Sequence, residues 1–237
     1  MSRSIALPRD AGGPVMTQGT KSIGRRQALV LLGAGVGAMR YGSAAASMLP
    51  MTDLSFAVSR SGDDIGTHTV TFERQDNRLM VRSAADFAVR FGPIVVYRYT
   101  YRAQELWQDG ILQTISGRTD DDGTTDFVEA ERRGDRLFVT GSKCDPYVAP
   151  PGALAATHWN KAELDNPMIN PQNGELMHFA QRDLGPERLS SGIVGRHFTL
   201  SGYAALDIWY DEAGTWRALR GAVSDGSVIN YRPQRGL

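Results

Sequence analysis

Cysteine is almost missing: Cys144 stands alone among 237 residues. One thiol cannot close an intramolecular disulfide or build a cysteine-based zinc or iron–sulfur site, so the fold must be held by its core. Cys144 reads as a structural small residue, because no cation but Lys143 adjoins it in sequence. Histidine is scarce too. His68, His158, His178 and His197 are scattered, and no two fall at metal-ligand spacing on one element. The chain lacks a Rossmann glycine pattern, a P-loop and a Gly-x-Ser-x-Gly nucleophile elbow. No cofactor and no metal are therefore expected. The acidic run Asp120-Asp121-Asp122-Gly123-Thr124-Thr125-Asp126 lacks the alternating ligands and distal glutamate of a calcium loop. It reads as a solvated hairpin turn.

Net charge is also missing, with 26 basic and 26 acidic side chains. The balance hides an asymmetry. Residues 1–46 hold Arg3, Arg9, Lys21, Arg25, Arg26 and Arg40 against Asp10 alone, leaving 20 basic and 25 acidic residues beyond them. A mildly acidic remainder lacks the clustered cations that nucleic acid requires. The basic segment has the order of an export signal: Arg25-Arg26, an apolar run from Ala28 to Ala38, then Ala44-Ala45-Ala46 as a small-residue exit. The apolar run is shorter than the roughly 20 residues of a membrane span. Arg25-Arg26-x-x-Leu29 resembles the twin-arginine signal, with Gly24 and Ala28 at looser flanking positions. That resemblance implies a chain that folds before it crosses the membrane. Residues 1–46 are expected to be removed, with translation beginning at Met1 or Met16. Residues 47–237 form one β domain, periplasmic or secreted and not an integral membrane protein after cleavage. Its one foreseen protein partner is the twin-arginine export machinery.

Beyond residue 46 the dominant hydropathy period is two, not 3.6. Strands are expected at Leu54–Arg60, Ile65–Arg74, Leu79–Phe91, Ile94–Trp107, Ile111–Arg118, Thr124–Arg132 and Arg136–Ser142. Others follow at Glu175–Arg182, His197–Ala204, Leu206–Tyr210, Trp216–Val223 and Ser227–Tyr231. Turn clusters such as Gln108-Asp109-Gly110 and Asp211-Glu212-Ala213-Gly214 separate them. Consecutive hairpins make an antiparallel meander. About eleven strands should curl into an open or closed barrel-like sheet, or fold over as a sandwich. The fold class is all-β. One segment, residues 145–174, breaks the rhythm with five prolines and reads as a flap or plug over one mouth of the sheet. Within it Ala153–Leu164 is expected to form a short helix.

The strand from Val95 to Trp107 carries most of the chemistry. Alternation puts Tyr97, Tyr99, Tyr101, Glu105 and Trp107 on one face and Arg98, Thr100, Arg102 and Gln104 on the other. On the neighbouring strand Leu79, Val81, Ala85, Phe87, Val89 and Phe91 share a face. A carboxylate on an aromatic wall must be paired, hydrogen-bonded or protonated. Glu105 is thus either a structural group or a polar anchor in an apolar cavity. His68 shares its face with Val70 and Phe72 and is either a satisfied core residue or a second anchor.

Several pieces together resemble a bacterial family of exported proteins, the domain of unknown function DUF6134. They include Gly62-Asp63-x-Ile65-Gly66-Thr67-His68, Val96-Tyr97-Arg98-Tyr99, Glu105-Leu106-Trp107, Thr119-Asp120-Asp121-Asp122-Gly123 and His158-Trp159-Asn160. Asp207-Ile208-Trp209-Tyr210-Asp211 and Asp225-Gly226-Ser227-Val228-Ile229-x-Tyr231 complete the set. The resemblance implies an envelope location and a β-rich fold, and no activity.

Three functions remain open. The first is a non-enzymatic module that holds an apolar or amphipathic small molecule. Its lining would be His68, Tyr97, Tyr99, Tyr101, Glu105, Trp107 and Trp159. The second is an accessory partner of an envelope complex, which requires an exposed apolar patch or an open sheet edge. The third is a hydrolase, which requires Glu105 and His68 within hydrogen-bond reach of each other.

Overall fold

The computed structural model describes residues 52–223 and 225–234; the export-signal segment expected over 1–46 lies outside them. Eight strands run as a meander: β1 (Leu54–Arg60), β2 (Asp63–Gln75), β3 (Arg78–Phe91), β4 (Ile94–Gln108), β5 (Ile111–Asp121), β6 (Thr124–Arg133), β7 (Arg136–Gly141) and β8 (Cys144–Val148). Five more follow after an insert: β12 (Phe179–Arg188), β13 (Val194–Gly202), β14 (Leu206–Tyr210), β15 (Trp216–Ala222) and β16 (Val228–Pro233). The insert itself carries three two-residue strands, β9 (Leu154–Ala155), β10 (Met168–Ile169) and β11 (Leu176–Met177).

Antiparallel pairing of β1 with β16 joins the two meanders into a single thirteen-stranded sheet with β12 and β8 at its ends. Every pair in that sheet is antiparallel, as short turns require. The turns follow their chemistry. Asp109 and Gly110 both have positive φ (51° and 74°), the signature of a hairpin turn whose twist matches its strands. Expected and observed fold class agree, with thirteen strands in the main sheet instead of about eleven.

The period-two pattern is realised as burial. On β4, Tyr97, Tyr99, Tyr101, Ala103, Glu105 and Trp107 are buried, while Val96, Arg98, Thr100, Arg102 and Gln104 are exposed. The interior so defined is filled by the insert. Ala153, Leu154, Ala155, Trp159, Leu164, Met168 and Ile169 share one apolar cluster with Phe56, Val70, Trp107, Ile115 and Trp216 of the sheet. The covering segment is thus a plug that runs inside the curved sheet. A Cβ added at Gly117 of β5 would lie 2.0 Å from the Pro171 carbonyl oxygen, and one at Gly141 of β7 would lie 2.1 Å from that of Asn173. Only glycine lets the plug's backbone come this close. The short helix expected over Ala153–Leu164 is reduced to a 3-10 turn at Lys161–Asp165, because Leu154 and Ala155 pair with Met168 and Ile169.

Phe91 departs from expectation. It keeps the parity of Phe87 on β3, yet it is 80% exposed. The last residue of β3 paired on the β2 side is Phe87, with Gly66, and the first residue of β4 paired with β5 is Tyr99, with Asp121. Beyond these rows β3 and β4 continue as a two-stranded ribbon without a further described strand, so a side chain there meets solvent instead of a packed interior.

Candidate functional site

Two buried carboxylates fix the part of the plug that faces the interior of β2–β4. Glu105 is 2% exposed. Its Oε1 accepts hydrogen bonds from Thr157 Oγ1 (2.6 Å) and Trp159 Nε1 (2.9 Å), and its Oε2 accepts one from Trp107 Nε1 (2.9 Å). Burial pushes its pKa up to about 7, against the lowering effect of these three donors. Glu163, fully buried in the 3-10 turn, accepts from the His158 backbone N–H (3.0 Å) and lies 2.6 Å from His158 Nδ1. The Tyr210 hydroxyl donates to the His158 carbonyl (3.0 Å) and sits 3.3 Å from Glu163 Oε1. These contacts hold His158 in the left-handed region, at φ 68°, which a non-glycine residue adopts only when its surroundings over-determine it.

Thr157 and His158 then form one wall of a cavity of about 130 Å³. His68, Ala85, Phe87, Tyr99 and Tyr101 line it from β2–β4, and Leu219, Ile229 and Tyr231 from the other meander. It sits between the plug-filled core and a smaller apolar cluster made of Val58, Ile65, Phe87, Tyr97, Tyr99 and Tyr101. The cavity is largely apolar, yet it holds polar groups that lack partners. Both ring nitrogens of His68 and the Tyr101 hydroxyl are buried without a hydrogen bond to any described residue. They belong to one row across the sheet, since His68 stands opposite Ala85 and Ala85 opposite Tyr101. Their rings lie 6.0 Å apart, edge to face.

An unpaired buried polar group costs about 1–3 kcal/mol, so such groups in a native fold call for a partner. Their charge state narrows the choice. Burial, with a smaller effect from His158, lowers the His68 pKa to about 3. The ring is therefore neutral near pH 7, with one nitrogen donating and the other accepting. Burial, reinforced by the charge of Glu105, raises Tyr101 well above the usual phenol range. The cavity thus offers neutral donors and acceptors on an aromatic floor.

Of the seven residues expected to line a site, the cavity takes His68, Tyr99 and Tyr101. Trp107 and Trp159 belong instead to the filled core, packed edge to face at 5.6 Å, and Glu105 is saturated by its three donors. Tyr97 is buried beside the cavity, its hydroxyl bonded to Asp121. Glu105 and His68 share the inner face but do not meet. Glu105 lies four residues beyond Tyr101 along β4, about 13 Å at the usual rise, and its hydrogen bonds are all to other residues. The acid/base pair a hydrolase would need is not assembled. Thr157, Glu163 and Tyr210 were not foreseen as site residues. The triplet His158-Trp159-Asn160 was the one signal that the plug carries chemistry. Among the described residues no group of three or more potential ligands is placed to hold a metal ion.

Residues 56–234 match the model of the family described as domain of unknown function (DUF6134). The fold is similar to that of a solved β-barrel-like protein of domain of unknown function DUF1849 from Brucella abortus. The two chains are 9% identical with a TM-score of 0.52, and the match covers 77% of this chain and 95% of that one. At that identity the likeness concerns the fold alone. No curated protein matches the chain. With the family model covering well over half of its length, the chain belongs to the DUF6134 family.

Proposed function

We propose that this protein is a non-enzymatic binding module that holds a small, neutral, apolar or amphipathic molecule in the cavity between β2–β4 and the plug. The observation that carries this reading is the pairing of an apolar chamber with three buried polar atoms that lack partners among the described residues, on His68 and Tyr101. A dry apolar cavity of about 150 Å³ is large enough for benzene. A chamber of about 130 Å³ therefore suits one ring or a short branched chain bearing a hydroxyl or carbonyl group. Ions are disfavoured, because no Asp, Glu, Lys or Arg lines the chamber to pair with them. The same reading places the protein in the periplasm or outside the cell, exported in folded form, on the support of Arg25-Arg26 and the short apolar run after it.

The test is native mass spectrometry of protein purified from the envelope fraction without organic solvent, followed by extraction. A small molecule that copurifies with the parent and is lost from Tyr101→Phe and His68→Leu supports the reading. Ligand-free spectra for all three refute it. A role as accessory partner of an envelope complex draws its support from the exposed apolar tip of the β3–β4 ribbon. A hydrolase built on Glu105 and His68 draws none, given their separation along the sheet.

A further inference from the structure

His68 and His158 are the two imidazoles of the cavity wall, and they are held differently. Neither ring nitrogen of His68 has a partner among the described residues. His158 has a carboxylate behind it: its Nδ1 lies 2.6 Å from Oε1 of the fully buried Glu163. Nδ1 therefore carries a hydrogen and donates, which leaves Nε2 with its lone pair. No described residue hydrogen-bonds Nε2, and the side chain is 18% exposed.

Packing does not account for this ring. The backbone alone ties the residue into the plug, its N–H donating to Glu163 Oε2 (3.0 Å) and its carbonyl accepting from the Tyr210 hydroxyl (3.0 Å). A φ of 68° is adopted most readily by glycine or asparagine. Histidine at this turn adds an imidazole with one nitrogen fixed and the other free, in the wall of a cavity. Glu163 calls for the ring as well. His158 is its one ion-pair partner among the described residues, and a carboxylate out of water without a compensating charge is costly.

We propose that the cavity's ligand is a weakly acidic ring hydroxyl, a phenol or an enol, which donates its O–H to His158 Nε2 and yields the proton as its acidity rises. This rests on the cavity reading above and narrows its ligand from hydroxyl or carbonyl to hydroxyl. The transfer balances within the site. The ligand O–H bond breaks, an Nε2–H bond forms, and the ligand oxygen keeps the electron pair. A carboxylate behind an imidazole balances the charge that the ring then carries. Ligand and dyad together keep their net charge, so a chamber lined by no Asp, Glu, Lys or Arg accommodates the change. The Tyr101 hydroxyl, a buried group without a partner among the described residues, supplies a donor for the ligand oxygen. It keeps its own proton, because burial and the charge of Glu105 hold Tyr101 well above the usual phenol range. His68 is the weaker acceptor. Burial lowers its pKa to about 3, and no carboxylate stands behind it.

The experiment measures, by calorimetry on the full chain, binding of phenol and its mono-, di- and trifluoro derivatives. Matched fluorobenzenes serve as the same rings without a hydroxyl. Fluorine changes size little and acidity a good deal, so the gap between each phenol and its fluorobenzene isolates the O–H. The expected gap widens about tenfold from phenol to the trifluoro compound, since charge-assisted hydrogen bonds are roughly twice as strong as neutral ones. Along the series the nitrogen resonance of His158 Nε2 moves toward its imidazolium position. In His158→Asn, which keeps the backbone contacts and suits the left-handed conformation, the gap stays constant along the series. The parent's gap and resonance decide the matter without any variant. A gap that is constant in the parent overturns the proposal and leaves the cavity reading standing. A gap that widens as much in His158→Asn as in the parent assigns the proton to another acceptor and overturns it too. Absence of binding by every ring compound sinks both readings, and the missing fluorobenzene signal tells that failure from the first.

Discussion

Burial acts on His68 and Glu105 in opposite senses, and the consequence is a testable pH dependence. Glu105 has a folded pKa of about 7, above its unfolded value of 4.5. The folded chain holds that proton more tightly, so the group's contribution to stability is present in acid and is lost as pH rises from about 4.5 to about 7. His68 has a folded pKa of about 3, below its unfolded value of 6.5. Its contribution is present above about pH 6.5 and is lost as pH falls toward 3. Each is worth on the order of a few kcal/mol, since a tenfold change in proton affinity corresponds to about 1.4 kcal/mol. Between about pH 4.5 and 6.5 the two slopes oppose each other. Urea unfolding across pH 3–8 should show Glu105→Gln gaining stability with pH relative to the parent between about 4.5 and 7. His68→Asn should lose stability relative to the parent as pH rises from about 3 to 6.5. Variant profiles parallel to the parent's would rule out these assignments. Sequence patterning already placed both residues on the inner face. Which of them would be saturated was hidden, because the partners Thr157 and Trp159 are supplied by the plug, 52 and 54 residues away.

At the scale of elements, the hairpins were legible and the edges and plug were not. Alternation and turn chemistry locate β1 to β7 to within a few residues. The strand β8 escapes the pattern because Pro146 lies inside it, and the strand expected over Glu175–Arg182 divides into β11 and a β12 that starts at Phe179 and runs on through Gly185-Pro186 to Arg188. Both β8 and β12 are end strands of the sheet, where a residue without an N–H is tolerated. Those prolines also blunt the two open edges against pairing with other chains. In the plug, hydropathy near Ala153–Leu164 suits a helix, but contact with the sheet interior decides otherwise. That contact depends on bare backbone at Gly117 and Gly141. Replacing Gly117 by alanine would drive a methyl into the Pro171 carbonyl and also into Val128, whose Cγ1 lies 2.8 Å from the added carbon. The expected cost is about 1–3 kcal/mol, as for other overpacked cores. Hydrogen exchange should locate it. The Ala156 and Leu154 amides, bonded to Ile169 and Pro167 carbonyls, should lose protection while β14–β15 amides keep theirs. Uniform loss everywhere would mean that the plug is not a separate cooperative unit.

At the scale of the whole molecule, the curved sheet, its internal plug and the rim-crossing ribbon make one arrangement. The plug fills most of the interior and leaves a chamber of about 130 Å³ beside the His68–Tyr101 row. The chamber's polar atoms then decide what enters. The most direct measurement of the central claim is a calorimetric or NMR comparison of phenol and benzene binding to the protein and to Tyr101→Phe. The two probes are close in size and shape and differ by one neutral hydroxyl. If the buried His68 nitrogens and the Tyr101 hydroxyl are the anchors, phenol binds the parent about tenfold more tightly than benzene, from one added buried hydrogen bond. The Tyr101→Phe change narrows that gap, and the His68 ring nitrogen resonances shift on adding phenol. Equal binding of the two probes, or a phenol site that leaves the His68 resonances unmoved, would contradict the account.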